Sequence, residues 1–337
     1  MAELGRLVRF LSEVSRLVRL VQRLDAASVF DSLLRVPRTP IRSDGLLAEP
    51  PRGRYPTIVP PPMNLFWAIV ITTAVTSVAI ACMLLVRRRA PEGSYFADGD
   101  RAAGVFGVLA TGYAVFAGFV IFLAFTTYDQ SRNGSETEAL VVTQQFETAQ
   151  FLPIAARERL SGELACYART VVYEEWPRME AGTVGDALNP WGVALFRTLK
   201  IADPKSAPEL AAYSKWLDQT SDREEARRDR IHGAANVVPD SLWLVLLLSA
   251  SVIFLFMLFF ADSAEGHFTQ AMLIGSVAAV LTVTLLVIRA LDAPYHPGLG
   301  QLQSVAMERT LVLLEEGRRV VGDQAPLPCD ENGKRAR

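Results

Sequence analysis

The stretch of sequence that decides the fold is Ala103–Thr127, AGVFGVLATGYAVFAGFVIFLAFTT, which contains no charged residue. About 20 apolar residues in an α-helix cross a hydrocarbon core that is about 30 Å thick. Three further stretches are long and apolar in the same way: Asn64–Val86, Asp240–Phe260 and Gln270–Leu291. Core helices of soluble proteins usually keep one polar face, and these stretches have none. The sequence therefore predicts an all-α membrane protein with four transmembrane helices, arranged as two hairpins with an intervening helical soluble domain.

These spans divide the chain into five parts. The first part, residues 1–62, combines a basic amphipathic helix over 3–24 with a linker rich in Pro, Gly and Arg. That helix suits an anionic membrane surface or a helical partner, and it is not translated if Met63 is the start. The other parts are the first hairpin (63–127), the helical soluble domain (128–239), the second hairpin (240–292), and an amphipathic helix with a disordered tail (293–337).

Local signals predict the helices of the soluble domain. Ser135 and Glu138 have the spacing of a capping box, which predicts that a helix opens there. A second helix is expected from Ile154 to Glu175, where Pro177 prevents continuation. The adjacent Glu174 and Glu175 are interpreted as a solvated helix surface. Further helices are expected over about 189–200, 204–231 and 301–320.

Composition and motifs exclude several classes of function. The net charge of −2, without a basic patch, argues against nucleic-acid binding. The three histidines are scattered, which predicts no metal site, and no cofactor or enzyme signature is present. The three cysteines, Cys82, Cys166 and Cys329, form no C-x-x-C pair, and an odd count argues against a disulfide scaffold. The redox compartment is left open by these observations.

The candidate functional residues lie in the second and fourth spans. Phe116, Phe119, Phe122 and Phe125 recur at steps of three and fan over half of a helix. If they face a central axis they form a hydrophobic constriction, whereas packing or lipid contact is the commoner role. Arg289 is a charge within an apolar span. It could pair with Asp292 on one helix face or reach the headgroups.

At these residues the chain resembles a known family. The segments that carry the resemblance are Gly118–Asp129, Tyr167–Pro177, Leu242–Leu248 and Leu291–Tyr295. They are similar to a large uncharacterised bacterial family of bestrophin-like membrane proteins, and more distantly to bestrophin anion channels. The resemblance covers about 64–300.

Bestrophins are pentameric anion channels with a phenylalanine-lined neck on the second helix. The resemblance thus implies a homo-oligomer in the lipid bilayer that passes small anions along Phe116, Phe119, Phe122 and Phe125. The acidic cluster of the bestrophin calcium clasp has no counterpart in this chain. Because a fold does not fix a function, a non-conducting membrane-anchored scaffold or sensor is the alternative.

The sequence gives opposing indications of which side of the membrane the soluble domain faces. Four spans place the 128–239 domain and both termini on one side of the cell membrane. The bestrophin comparison favours the cytoplasm for that side. Arg87, Arg88, Arg89 and Arg101 around the short first loop argue instead that the loop is cytoplasmic. Arg52 and Arg54, before the first span, and the arginines before the third support the cytoplasmic placement of the domain.

Overall fold

The computed structural model describes residues 64–88, 90, 95–96, 98–183, 189–323 and 325–335. The predicted helix over 3–24 and its linker lie outside the described residues. The helices are α1 (Leu65–Arg87), α2 (Gly99–Ala149), α3 (Ile154–Thr170), a π-helix (Val171–Glu175), α4 (Trp176–Glu180), α5 (Pro190–Ile201), α6 (Ala207–His232), α7 (Asp240–Phe259), α8 (His267–Asp292) and α9 (Val305–Val320).

Four of these helices, α1, α2, α7 and α8, are long and apolar enough to cross a membrane. Most of their side chains lie uncovered by the rest of the chain. In the described part of the chain, β-type backbone pairing is limited to one isolated bridge between Cys329 and Arg335. The predicted all-α membrane fold is therefore confirmed.

The second span continues far into the soluble domain. Helix α2 has 51 residues, and the predicted boundary between residues 127 and 128 falls inside it. The predicted helix start at Ser135 is wrong, because the Ser135 hydroxyl donates to the Arg132 carbonyl in mid-helix. The capping pattern also occurs within helices, and no residue before Ser135 stops the helix. The first hairpin and the soluble domain thus share one rigid element.

Pro177 does not end its helix, contrary to the prediction. The chain passes from α3 through the π-helix into α4 and ends only at Glu180. A proline ring normally clashes with the carbonyl four residues earlier, and it lacks the N–H that this carbonyl would accept from. The wider π turn immediately before Pro177 relaxes that conflict. It also redirects the side chains at its end, including Glu175.

Within the membrane, α8 contacts the other three spans, and α1 packs mainly against α8. Gly275 permits this approach, since a Cβ there would lie 3.1 Å from Ile80 Cδ1. At the short-loop end, Arg87 donates to the carbonyls of Asp262 and Ser263 at 2.9 and 3.0 Å, and also to that of Glu265. This side chain joins the end of the first span to the loop between α7 and α8.

In the soluble domain, α2 packs along α6, while α9 packs on α2 and α3. The chain end differs from the disordered tail expected for it. Trp191 Nε1 donates to the Gly333 carbonyl at 2.6 Å, and Thr170 Oγ1 donates to the same carbonyl at 3.0 Å. Cys329 forms a disulfide with Cys166, 163 positions earlier. The number of cysteines is odd because Cys82 is free, and this does not prevent Cys166 and Cys329 from forming a disulfide.

Candidate functional site

The membrane part of α2 has two distinct faces. Tyr113, Ala117, Val120 and Ala124 recur at steps of three and four and are buried against α7 and α8. Three of the predicted phenylalanines lie on the opposite side. Phe119, Phe122 and Phe125 are 59%, 61% and 52% exposed. The structure therefore places these three rings on a face that the described part of the chain leaves uncovered. We call Phe119, Phe122 and Phe125 the phenylalanine face.

Phe116 does not belong to this face. It is partly buried in the membrane core cluster that also contains Trp243 and Leu281. A step of three residues turns a helix by about 300°, so Phe116 lies about 180° from Phe125 around the axis. The four phenylalanines thus divide into one packing residue and three surface residues.

The glycines of the second span lie open as well. A Cβ added at Gly104, Gly107, Gly112 or Gly118 would meet nothing within 4 Å. Small residues allow close helix contact in membranes, but no helix in the described part of the chain approaches these four glycines. Gly134 and Gly275 are among the glycines at which elements of the fold do approach closely. An uncovered strip of glycine and phenylalanine therefore follows α2 through the membrane.

Arg289 lies at the end of α8, away from the phenylalanine face. Its neighbour Ile288 packs in the cluster formed by the buried face of α2. Arg289 Nη1 lies 3.5 Å from Asp292 Oδ2, so the ion pair is present. The same nitrogen has no hydrogen bond with acceptable geometry, and we therefore interpret the contact as electrostatic. The structure does not bring Arg289 and the three exposed phenylalanines into one cluster.

Asp292 connects the two spans of the second hairpin. Its carboxylate is buried and accepts from Val238 N at 2.7 Å and from Trp243 Nε1 at 3.2 Å. Both donors lie at the start of α7, so one side chain ties the end of α8 to that point. Nearby, burial and then the Arg289 charge lower the pKa of His296, which keeps this imidazole neutral.

A buried charge cluster lies in the soluble domain, where α2 meets α6. Arg230 and Glu138 are completely buried, and Arg230 donates to both carboxylate oxygens of Glu138. Tyr167 OH donates to Glu138 Oε1 at 2.5 Å. Arg230 also donates to Glu175 Oε2 at 2.5 Å. Every charge in this cluster has an oppositely charged partner, which is the condition for tolerating buried ions.

Glu175 was interpreted as a solvated residue, and the structure shows that this is wrong. Its side chain is mostly buried, and its Oε1 accepts from Arg227 and from Asn189, each at 3.0 Å. The π-helix ends at Glu175, and its extra residue per turn rotates this side chain toward α6. A pattern search for helices of ordinary pitch does not detect such a rotation. The charged cluster is therefore what the sequence reading missed.

Two of the four segments that carry the family resemblance, Tyr167–Pro177 and Leu291–Tyr295, converge on this cluster. Tyr167 and Trp176 are buried there, and the guanidinium of Arg230 lies over the Trp176 ring at 5.9 Å. Tyr295 OH donates to the Arg230 carbonyl at 2.7 Å, and its ring packs edge-on against Trp176. Burial raises the pKa values of Tyr167 and Tyr295, so both phenols remain neutral donors. These two motifs thus encode a structural core.

Acid should destabilise this core through Glu175. Burial by itself would raise the pKa of Glu175, but the charges of Arg230 and Arg227 outweigh it, and the net pKa is lowered. A lowered folded-state pKa contributes stability above the unfolded value of about 4.3, and this stability is lost as the pH falls through the folded value. We expect the thermal midpoint of the purified protein to fall below about pH 4.3. The Glu175→Gln variant should start lower at neutral pH and change less over that acid range.

The charge cluster and the phenylalanine face differ in how accessible they are to other molecules. The charge cluster is closed to solvent, and in the described residues no three His, Cys, Asp or Glu side chains come together as a metal site. Its side chains join α2 and α6 to α3 and the π-helix. The phenylalanine face is open, apolar and located within the membrane. It can contact lipid, another copy of the protein, or an ion that has lost part of its hydration shell.

The fold and these sites define a polytopic helical membrane protein whose soluble domain contains a buried cluster of ion pairs. The model of the Bestrophin-like domain family matches residues 73–300, about two thirds of the chain. This chain therefore belongs to the Bestrophin-like domain family, as the motifs predicted.

Solved structures share the fold. A crystal structure of a variant bacterial Bestrophin homolog from Klebsiella pneumoniae is 13% identical and has a TM-score of 0.53. The alignment covers 74% of this chain and 98% of that one. A second crystal structure, of a protein described only as a membrane protein, is 13% identical with a TM-score of 0.54, covering 75% and 99% of the two chains. No curated protein matches the chain.

Proposed function

We propose that this protein is a homo-oligomeric channel or transport protein for small anions, in which the phenylalanine face of α2 surrounds the pathway. The single observation that carries the proposal is this face itself. Phe119, Phe122 and Phe125 lie on a strip with open glycines, and the strip continues along a helix that leaves the membrane for water. Family membership supports the same arrangement.

The physical basis is a ring of aromatic side chains contributed by several copies. Open glycines let neighbouring α2 helices approach closely, since helix packing in membranes relies on small residues. The rings then form a narrow apolar constriction, which controls passage by dewetting. The positive edge of an aromatic ring also suits an anion better than a cation. Arg289, whose charge Asp292 only partly satisfies, contributes at the membrane end of α8.

The test is anion flux into liposomes that carry the purified protein. We expect Phe122→Ala to change chloride flux about tenfold, the effect of about 1.4 kcal/mol on a barrier. Arg289→Ala should reduce flux, because it removes a positive charge at the end of α8 that raises the local concentration of anions. Phe66→Ala is the matched control: Phe66 is 65% exposed at the start of α1, outside the proposed constriction, and its removal should leave flux unchanged.

A second candidate function is a non-conducting anchored module whose helical domain binds a partner. Large apolar side chains exposed on that domain, among them Phe151, Phe196 and Ile201, favour it. A folded preparation with no flux for chloride, bromide or nitrate would contradict the channel proposal. If light scattering also gave the mass of a monomer, the anchored module would be supported.

A further inference from the structure

Both cysteines outside the membrane spans are joined to each other. Cys166 is buried near the end of α3, and Cys329 lies in the segment after α9. Their Cα atoms are 5.8 Å apart, within the usual range for a disulfide. The remaining cysteine, Cys82, lies in α1 within the membrane. The water-exposed part of the protein therefore has no free thiol among its described residues.

The chain end is positioned by contacts that do not depend on the disulfide. Trp191 and Thr170 both donate to the Gly333 carbonyl, and the Arg335 guanidinium lies 5.7 Å from the centre of the Trp191 ring. Gly333 has a φ of +79°, and a Cβ there would lie 2.5 Å from the Thr170 amide. A specific packed segment thus brings Cys329 to Cys166.

This pairing carries information about the compartment. Two spans, α7 and α8, separate the cysteines along the chain, so both lie on the same side of the membrane. Structural disulfides persist in oxidising compartments and are rare in the cytosol, where thiols are kept reduced. The pairing therefore indicates a domain that folds outside the cytosol.

The arginine distribution points in the same direction. The short loop between α1 and α2 is flanked by Arg87, Arg88, Arg89 and Arg101, whereas residues 260–266, the other short loop, carry no Lys or Arg. The positive-inside rule gives weight to short loops, while polar segments longer than about 60 residues cross the membrane largely regardless of charge. The domain over 128–239 exceeds that length.

Three of the four arginines nearest α7 present little charge to the membrane surface, whereas the fourth, Arg228, is exposed. Arg223 and Arg230 are buried, and Arg227 is mostly buried. Each is paired with a carboxylate, namely that of Glu224, Glu138 or Glu175. Their count before the third span therefore overstates the exposed positive charge beside α7.

We infer that the helical domain and the chain end face an oxidising compartment outside the cytosol, where the Cys166–Cys329 disulfide fastens the chain end to α3, and that the two short loops are cytoplasmic. This orientation is the reverse of the one that the bestrophin resemblance favours. It is independent of whether the protein conducts anions.

Site-directed labelling tests the orientation. In the full chain with Cys82→Ser, single additional cysteines are placed at Lys205, on the exposed turn before α6, or at Ala264, in the loop between α7 and α8. A membrane-impermeant maleimide added to intact spheroplasts should label Lys205→Cys, and should label Ala264→Cys only after lysis. The opposite pattern would overturn the inferred orientation.

Thiol trapping tests the disulfide on the native chain. Cells are quenched in acid, and the denatured protein is treated with a polyethylene-glycol maleimide. We expect one adduct, at Cys82, without reductant, and three adducts after reduction, which matches the cysteine count. Three adducts without reductant would overturn the disulfide even if Lys205→Cys is labelled from outside. In Cys166→Ser, release of Cys329 should give two adducts without reductant.

Discussion

We expect replacement of Glu138 by leucine to destabilise the helical domain by about 3–5 kcal/mol, the cost of removing one partner of a buried ion pair. Glu138 neutralises Arg230 and accepts from Tyr167 in a region closed to water. After the change Arg230 keeps Glu175, but the Tyr167 hydroxyl loses its acceptor. Thermal unfolding of the detergent-solubilised protein, followed by far-UV circular dichroism, measures the effect.

Two comparisons make this prediction specific. The double variant Glu138→Leu with Arg230→Met should lose less stability than the sum of the single variants, because no charge is then left without its partner. Arg132→Ala is the matched control, since the Arg132–Glu136 pair on the same helix is exposed and should contribute less than about 1 kcal/mol. Equal losses for Glu138→Leu and Arg132→Ala would contradict the role assigned to burial.

The second large effect is expected at Gly134, where α2 and α6 touch. A Cβ at this position would lie 2.6 Å from the Arg230 amide nitrogen and 2.8 Å from the Ala226 carbonyl oxygen. These are backbone atoms of α6, so relief requires the whole helix to move. We expect Gly134→Ala to cost about 1–3 kcal/mol, as other overpacked cores do. The same thermal unfolding measurement reports it.

Gly99→Ala, at the start of the same helix and outside the strip of open glycines, is the control with the opposite sign. Nothing lies within 4 Å of its added Cβ. Alanine is favoured over glycine in a helix by about 1 kcal/mol, so this variant should be neutral or slightly more stable. If Gly134→Ala also left stability unchanged, the close approach of α2 and α6 would not be a determinant of the domain. A loss at Gly134 also predicts weaker contact between Arg230 and Glu138, one helical turn further along α2.

The membrane spans could be predicted from residue types because the bilayer imposes a simple requirement. A helix must be apolar for about 20 residues to cross it, whatever its neighbours do. The spans α1, α7 and α8 accordingly begin and end within three residues of the predicted limits. The continuation of α2 to Ala149 was not predicted. The residue types around Ser135 fit the interior of a polar helix as well as they fit the start of a new helix.

The candidate site was only partly accessible to the same reasoning. Helical periodicity predicted that the phenylalanines fan out, and this is why Phe116 packs inward while Phe122 is exposed. Periodicity did not predict that Glu175 is buried. The π-helix that ends at Glu175 departs from 3.6 residues per turn, the period on which the prediction depends. Nor did periodicity pair Arg230 with Glu138, which lie 92 residues apart.

By itself, the sequence determined that this protein is helical, that it crosses a membrane four times, and that it resembles bestrophins. Each of these follows from short-range composition or from contiguous motifs. Only the tertiary structure decided which charges are buried together, that Cys166 meets Cys329, and which face of α2 is left uncovered. Those features depend on contacts between residues far apart in the chain, and one-dimensional periodicity carries no record of such contacts.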